Sequence, residues 1–137
     1  MKRRALIVDD EREARRRLAR LLEAFADRIE VVGDAPDGLS AVEQIQKLEP
    51  DIVFLDIEMP GLDGFGVLER LRKMEGFKNV PVVMLTTSSR KEEIEQAYRL
   101  GASGYVVKSE DFNELMAKLK RVKDYWFYTV ELPGKIK

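Results

Sequence analysis

Residues 52–56 have the sequence IVFLD, in which four apolar residues lead directly into a carboxylate. An apolar run this short is typical of a strand that is covered on both faces of a sheet, because buried helices need longer segments. Four other runs of the same kind occur along the chain. The five predicted strands are residues 5–8, 29–32, 52–55, 80–85 and 105–107.

Each predicted strand is followed by a longer segment in which apolar residues recur at steps of three and four, as they do on one face of a helix. The fifth of these segments has the most regular pattern. The residues that mark the five helices are Ala14, Leu18, Leu21 and Phe25; Val42 and Ile45; Phe65, Leu68 and Leu71; Ile94, Ala97 and Gly101; and Phe112, Leu115, Leu119, Val122 and Trp126. This alternation indicates a single α/β domain, in which a parallel sheet has helices on both faces.

Local signals indicate where two of these helices begin and where one of them ends. Asp10 with Glu13, and Ser89 with Glu92, have the spacing of capping boxes at the starts of the first and fourth helices. Gly101 has the position expected of a residue that ends the fourth helix. The sequence therefore predicts side-chain caps at Asp10 and Ser89.

The composition of the 137-residue chain excludes several classes of function. Cys and His are both absent, which excludes disulfides, thiolate or imidazole catalysis and nearly all zinc or copper sites, and leaves oxygen-ligated cations such as Mg²⁺. The 24 Lys and Arg residues nearly balance the 25 Asp and Glu residues, so there is no electrostatic case for general nucleic-acid binding. No apolar run approaches the ~20 residues of a membrane span, and we expect a soluble, cytoplasmic protein.

The carboxyl ends of parallel strands meet at one edge of the sheet, where the ligands of α/β domains bind. The polar residues that follow the predicted strands are Asp9, Asp10, Asp56, Thr86, Thr87 and Lys108. Carboxylates held together repel one another, and a hard divalent cation relieves that repulsion. A phosphoryl group could then face the metal, Lys108 and the Thr86 hydroxyl, and a carboxylate could act as a nucleophile. Taken singly, each residue also has an ordinary structural use as a helix cap or a loop residue.

Four segments together resemble the response-regulator receiver domain. They are residues 6–11 (LIVDDE), 54–64 (FLDIEMPGLDG), 83–86 (VMLT) and 104–108 (GYVVK), and the resemblance extends from about residue 4 to residue 124. It implies a flavodoxin-like (βα)5 fold, which is a three-layer α/β sandwich with a five-stranded parallel sheet of order 2-1-3-4-5. It also implies a receiver domain over residues 1–124, followed by an aromatic C-terminal extension and tail over residues 125–137.

The resemblance also implies a phosphoacceptor, a metal site, a pair of phosphoryl-binding residues and a two-residue switch. These are Asp56 as the phosphoacceptor; Asp9, Asp10, Asp56 and the backbone carbonyl of Glu58 as ligands of Mg²⁺, with Mn²⁺ as an alternative; Thr86 and Lys108 at the phosphoryl oxygens; and Thr86 and Tyr105 as the switch. Because the chain has no histidine, the phosphoryl group must come from another protein, either a histidine kinase or a phosphotransfer protein. The chain would then be a phosphorelay receiver and not an enzyme, catalysing only its own phosphorylation and slow autodephosphorylation.

Residues 85–89, 97–102 and 124–133 resemble, more narrowly, the single-domain response regulators that accompany phytochrome-type histidine kinases. This resemblance implies such a kinase as the partner. Since the receiver accounts for almost the whole chain, we expect output by docking to proteins, with no nucleic-acid or membrane partner. The apolar stripe of the fifth helix and the aromatic residues 125–128 lead us to expect a homodimer through that helix and the tail.

Three positions depart from the family pattern. Ser109 stands where most receivers have proline, and a cis bond to a non-proline residue costs ~2.5–4 kcal/mol, which leaves the Lys108–Ser109 bond open between cis and trans. Thr87 is bulkier than the usual alanine or glycine, so we expect it to hinder the hydrolytic water. Glu58 adds an acid that we expect to face solvent.

The first helix is strongly basic, and two interpretations of it stay open: a solvated face with acidic neighbours, or a surface that docks the kinase. Its arginines are Arg12, Arg15, Arg16, Arg17 and Arg20.

Three other functions also stay open. A haloacid-dehalogenase-type phosphatase uses similar groups, but its nucleophile follows the first strand. A nucleotide-binding module lacks support because no glycine fingerprint is present. A degenerate receiver is disfavoured by the intact set of polar residues.

Overall fold

The computed structural model describes residues 2–108, 117 and 121 of the chain. Over residues 2–108, strands and helices alternate. The elements are β1 (Arg3–Val8), α1 (Arg12–Glu23), β2 (Ile29–Ala35), α2 (Gly38–Leu48), β3 (Ile52–Asp56), α3 (Gly64–Lys73), β4 (Val82–Thr86), α4 (Lys91–Arg99) and β5 (Gly104–Val107). Ala117 and Arg121 are helical, whereas the bounds of the predicted fifth helix and the predicted tail lie outside the described residues.

The five strands form one parallel sheet in the order β2-β1-β3-β4-β5. This confirms the predicted flavodoxin-like topology, in which strand order reverses beside β1. The carboxyl ends of β1 and β3 are therefore neighbours, and so are those of β3 and β4. The strand-end residues singled out from the sequence consequently share one edge of the sheet.

The two faces of the sheet are covered by different helices. Along β1, Leu6 and Val8 pack into a cluster with α2 and α3, whereas Ala5 and Ile7 pack against α1. Successive side chains of a strand point to opposite faces, which produces this division. All residues of β3 and β4 are buried, so the centre of the sandwich is a rigid support for the residues at the strand ends.

Strand and helix bounds differ from the predictions where proline and turn geometry intervene. β4 begins at Val82 because Pro81 has no N–H to donate to a neighbouring strand. α1 ends at Glu23, although Phe25 continues the apolar spacing and is buried in the turn that follows. Gly101 lies directly after the last turn of α4 with a φ of 101°, which confirms its predicted role as the helix stop.

Both predicted capping boxes are wrong. The N-cap residues of α1 and α4 are Glu11 and Arg90, and neither accepts a side-chain capping bond. Each helix therefore begins one residue later than a cap at Asp10 or Ser89 requires. The physical reason is that earlier residues close these turns: Asp9 Oδ1 accepts a 2.9 Å bond from the Glu11 N–H, and Ser88 Oγ accepts a 3.2 Å bond from the Arg90 N–H.

Side-chain caps occur instead on α2 and α3, for which none was predicted. The Asp37 carboxylate accepts a 2.7 Å hydrogen bond from the backbone N–H of Ser40, and the Asp63 carboxylate accepts one of 2.9 Å from Gly66. Both capping aspartates are followed directly by glycine. In the part of the chain that the structure covers, no helix is long and apolar enough to span a membrane.

Candidate metal and phosphoryl site

Three carboxylates meet at the carboxyl edge of the sheet. Asp9 and Asp10 follow β1, and Asp56 is the last residue of the neighbouring β3. Asp9 and Asp56 are buried, Asp10 is exposed, and one oxygen of each lies within 4.8 Å of the others. A set of close carboxylate oxygens with an exposed member suits a hard cation that keeps part of its water shell, such as Mg²⁺.

Hydrogen bonds fix the carboxylate of Asp9. Its Oδ1 accepts a bond of 2.9 Å from the backbone N–H of Glu11, which closes the turn into α1. Its Oδ2 accepts a bond of 2.5 Å from the ammonium of Lys108. Asp9 therefore closes the turn into α1. The predicted capping box had given this role to Asp10.

Lys108, which directly follows β5, lies between two of the acids. Its Nζ is 2.5 Å from Asp9 Oδ2 and 3.6 Å from Asp56 Oδ1. Burial alone would lower the pKa of Lys108, but the hydrogen bond that Lys108 donates to Asp9 and the charge of Asp56 outweigh this effect and raise that pKa. Lys108 therefore stays cationic and offsets part of the negative charge of the site.

The acidity of Asp56 reflects its crowded surroundings. Burial is the main cause that raises the pKa of Asp56 to about 6; the charges of Asp9 and Asp10 also raise it, and Lys108 opposes the increase. A cation bound by these oxygens would favour the ionised form. Asp56 is consequently an ionisable carboxylate that is held in a desolvated position at the end of a buried strand.

Gly64, the first residue of α3, allows this helix to begin against the backbone of Asp56. A Cβ at position 64 would lie 2.3 Å from the carbonyl oxygen of Asp56, and the Gly64 N–H donates a 2.9 Å bond to the carbonyl of Ile57. Any larger residue would displace the segment that follows the acid. Sequence reasoning missed this role, although Asp63-Gly64 stands directly before a predicted helix.

Thr86 and Tyr105 meet through Ser88. Thr86, the last residue of β4, is fully buried, and its Oγ1 accepts a 3.1 Å bond from the N–H of Ser88. The Tyr105 hydroxyl donates a 2.9 Å bond to the carbonyl of Ser88. Burial, and then the charge of Glu93, raise the pKa of Tyr105. The two predicted switch residues are therefore linked by a third residue that sequence reasoning did not identify.

The remaining predicted positions lie around this centre. Glu58 is exposed in the loop after Asp56, as expected. Thr87 is exposed and, with Lys108 and Asp9, lines a cavity of about 390 Å³ beside α1. The Lys108–Ser109 bond and the predicted dimer segment lie outside the described residues.

The arginines of α1 do not form a uniform solvated face. Arg12, Arg16, Arg17 and Arg20 are exposed, whereas the side chain of Arg15 is only 14% exposed. Arg15 reaches the backbone of Asp9 and the carboxylate of Asp34. Four of the five arginines are exposed, which agrees with both interpretations of this helix. Sequence reasoning missed the inward position of Arg15.

The family model of the response regulator receiver domain matches residues 5–120. Among curated proteins, the chain is 40% identical over 126 residues to a protein-glutamate methylesterase/protein-glutamine glutaminase of Alkalilimnicola ehrlichii, covering 90% of this chain and 30% of that protein. It is 37% identical over 120 residues to protein-glutamate methylesterase/protein-glutamine glutaminase 1 of Methanospirillum hungatei, covering 85% of this chain and 35% of that protein. The chain thus spans about a third of the length of these relatives.

Solved structures of similar fold include two response regulators that match nearly end to end. The Mn²⁺-bound form of response regulator Rcp1 has a TM-score of 0.82 and 28% identity, over 96% of this chain and 99% of that one. The phosphorylated cyanobacterial phytochrome response regulator RcpA has a TM-score of 0.84 and 27% identity, over 97% and 99%. The response regulator domain of Thermotoga maritima CheB has a TM-score of 0.79 and 30% identity, over 89% and 93%.

The match to the receiver model argues against the phosphatase and nucleotide-binding alternatives. The cluster of three acids lies at the strand ends, as the resemblance to receiver domains implied. The strand order is the one expected from the same resemblance. The chain belongs to the response-regulator receiver family.

Proposed function

We propose that the chain is a phosphorelay receiver in which Asp56 accepts a phosphoryl group from the phosphohistidine of a partner protein. The observation that carries this proposal is the position of Asp56, which lies within 4.8 Å of Asp9 and Asp10 and has Lys108 at 3.6 Å. A nucleophile, a cation-binding acid pair and a counter-charge therefore share one small site. The chain itself has no histidine that could supply the phosphoryl group.

The site would bind Mg²⁺, or Mn²⁺ in its place, through Asp9, Asp10, Asp56 and the backbone carbonyl of Glu58. The donor set fits such an ion because it consists of oxygen ligands and because burial, together with the charges of Asp9 and Asp10, raises the pKa of Asp56. When bound, the ion supplies charge neutralisation for an incoming phosphoryl group.

In the transfer step, a carboxylate oxygen of Asp56 attacks the phosphorus atom in line with the bond to the donor histidine. A P–O bond forms and the P–N bond breaks, and the imidazole nitrogen keeps the electron pair and takes up a proton from water. Lys108 faces a phosphoryl oxygen and offsets its charge. Thr86 donates its hydroxyl proton to another oxygen, since the bond from Ser88 occupies only an acceptor position.

The switch proposal follows from the links between Thr86, Ser88 and Tyr105. Ser88 contacts both side chains through its backbone, so movement of Thr86 towards a phosphoryl group changes the position of the acceptor of the Tyr105 hydroxyl. Phosphorylation would thereby alter the surface around α4 and β5 and its docking to other proteins.

We propose a histidine kinase, of the phytochrome-associated type, or a phosphotransfer protein as the partner. This is supported by the near end-to-end similarity to a phytochrome response regulator. A homodimer through the fifth helix and tail remains part of the proposal. Light scattering on the full chain and on a version ending at Asp124, each with and without phosphodonor, tests the dimer: a phosphorylated full chain that stays monomeric contradicts it.

Phosphoryl acceptance is tested with a small donor and intact mass spectrometry. Phosphoramidate is suitable because its P–N bond models phosphohistidine. With Mg²⁺, the wild-type chain is expected to gain one phosphoryl group and Asp56→Asn none. Asp27→Asn, the same change at an exposed acid remote from the site, is the matched control and should label fully. Full labelling of Asp56→Asn would contradict the proposal.

A further inference from the structure

Arg15 differs from the other arginines of α1 in both exposure and contacts. Its side chain is 14% exposed, compared with 52% for the neighbouring Arg16. Helical side chains lean towards the N-terminus of their helix, so Arg15 reaches back to the end of β1. Its Nη1 donates a 2.8 Å bond to the backbone carbonyl of Asp9, and its Nε donates a 3.0 Å bond to Asp34 Oδ2.

The guanidinium thereby connects the ends of two adjacent strands. Asp34 in β2 pairs in register with Ile7 of β1, two residues before Asp9. Arginine donors lie in a rigid plane, so the contact with Asp34 fixes the direction in which Nη1 points. The half-buried Arg15 is therefore held in one orientation against the Asp9 carbonyl.

The carbonyl that Arg15 binds belongs to the peptide unit between Asp9 and Asp10. A peptide unit is planar, so a bond that orients this carbonyl also orients the backbone from which both carboxylates extend. The other polar atoms of Asp9 are held as well, since Oδ1 accepts from Glu11 and Oδ2 from Lys108. Arg15 is thus the contact, among the described residues, that fixes the backbone oxygen of Asp9.

We propose that Arg15 is a positioning residue for the acid pair Asp9–Asp10 and strengthens its binding of Mg²⁺. The inference rests on the proposed function, because it concerns the same metal site. The direction of the effect of Arg15 on Mg²⁺ affinity is informative, because a positive charge near the site, acting through space alone, would weaken binding of a cation. Orientation of the ligands acts in the opposite direction.

The test measures Mg²⁺ affinity by isothermal titration calorimetry, and thermal stability without metal, on the full chain. Arg15→Gln is expected to weaken Mg²⁺ binding roughly threefold to tenfold, about the effect of one lost hydrogen bond. Arg16→Gln removes the same charge from an exposed position of the same helix and is expected to leave affinity unchanged or to raise it slightly. Affinity of Arg15→Gln equal to or above that of wild type would overturn the inference, even if the melting temperature falls.

Arg15→Lys keeps the charge but cannot make both contacts from one rigid fork, and it decides the question if Arg15→Gln does not fold. We expect weaker Mg²⁺ binding than in wild type; equal affinity would show that the paired contact is unimportant and overturn the inference. A wild-type chain that binds no Mg²⁺ would contradict the proposed function and this inference together. Binding by wild type with no effect at Arg15 would contradict this inference alone.

Discussion

The site edge of the sheet has two halves that accommodate polar groups in different ways. The acid half consists of Asp9, Asp10, Asp56 and Lys108, where three carboxylates are close together and one ammonium lies against two of them, Asp9 and Asp56. Negative charge there exceeds positive charge, and the pKa of Asp56 is raised to about 6 by burial and by its acidic neighbours. Repulsion in the acid half therefore lowers the stability of the folded chain until a cation binds or a carboxylate takes up a proton.

The hydroxyl half consists of Thr86, Ser88 and Tyr105, and its groups satisfy one another. Ser88 donates to Thr86 through its N–H and accepts from Tyr105 at its carbonyl. We expect the two halves to act differently. The close carboxylates of the acid half would favour binding of a cation, whereas the hydrogen bonds of the hydroxyl half would rearrange around a phosphoryl oxygen. Substitutions in the two halves should consequently have effects of different kind and sign.

The largest effect is expected from Asp56→Asn, which should stabilise the metal-free chain at pH 7.5 by as much as about 2 kcal/mol. The pKa of Asp56 in the folded state is above its value in an unfolded chain, so wild-type stability falls as the pH rises from about 4 to about 6. Urea denaturation at pH 4.5 and 7.5 measures this difference. Asp56→Asn should lose that component of the pH dependence, and an unchanged pH profile would contradict the account of the acid half.

Asp10→Ala is expected to weaken Mg²⁺ binding about tenfold, equivalent to about 1.4 kcal/mol, and to raise the melting temperature of the metal-free chain. Both changes have the same cause, because an exposed ligand is lost together with its repulsion of Asp9 and Asp56. Calorimetric titration and thermal denaturation check the two effects. Unaltered Mg²⁺ affinity would show that Asp10 is not a ligand.

Tyr105→Phe, in the hydroxyl half, should lower stability by about 0.5–1 kcal/mol through loss of the bond to Ser88. It should leave Mg²⁺ affinity as in wild type, since Tyr105 does not belong to the acid cluster. Tyr98→Phe, at a half-exposed tyrosine of α4, is the matched control. A change of Mg²⁺ affinity in Tyr105→Phe would show that the halves are not separate.

The smallest effect concerns the lifetime of the label. Thr87→Ala should speed loss of the phosphoryl group roughly twofold, because in-line attack by water needs an open path. Intact mass followed over time, with Ser89→Ala as a control at another exposed hydroxyl, measures the decay. Equal rates of decay in Thr87→Ala and wild type would show that Thr87 does not hinder the hydrolytic water.

The strands and the positions of the main site residues could be predicted from local signals, whereas the strand order was implied only by the resemblance to receiver domains. Buried parallel strands are short apolar runs, and residues such as Asp56 and Lys108 follow those runs directly. The position of a strand end in the chain therefore already specifies the edge on which a side chain lies.

Contacts that depend on three-dimensional packing could not be predicted in this way. Ser88 acts through backbone atoms, which carry no signature of residue type. Arg15 is one of several arginines in a basic helix, and only the proximity of Asp9 and Asp34 distinguishes it. The capping boxes failed for a related reason, because Asp9 closes the turn that would have placed Asp10 at the helix start.

The central claim is that Asp56, and no other acid of the cluster, accepts the phosphoryl group. Its most direct test is to label the wild-type chain with phosphoramidate and Mg²⁺, reduce the acyl phosphate with borohydride and locate the resulting homoserine by peptide mass spectrometry. We expect homoserine at position 56, and none when Mg²⁺ is removed by a chelator. Homoserine at position 9 or 10, or labelling that is unaffected by removal of Mg²⁺, would contradict it.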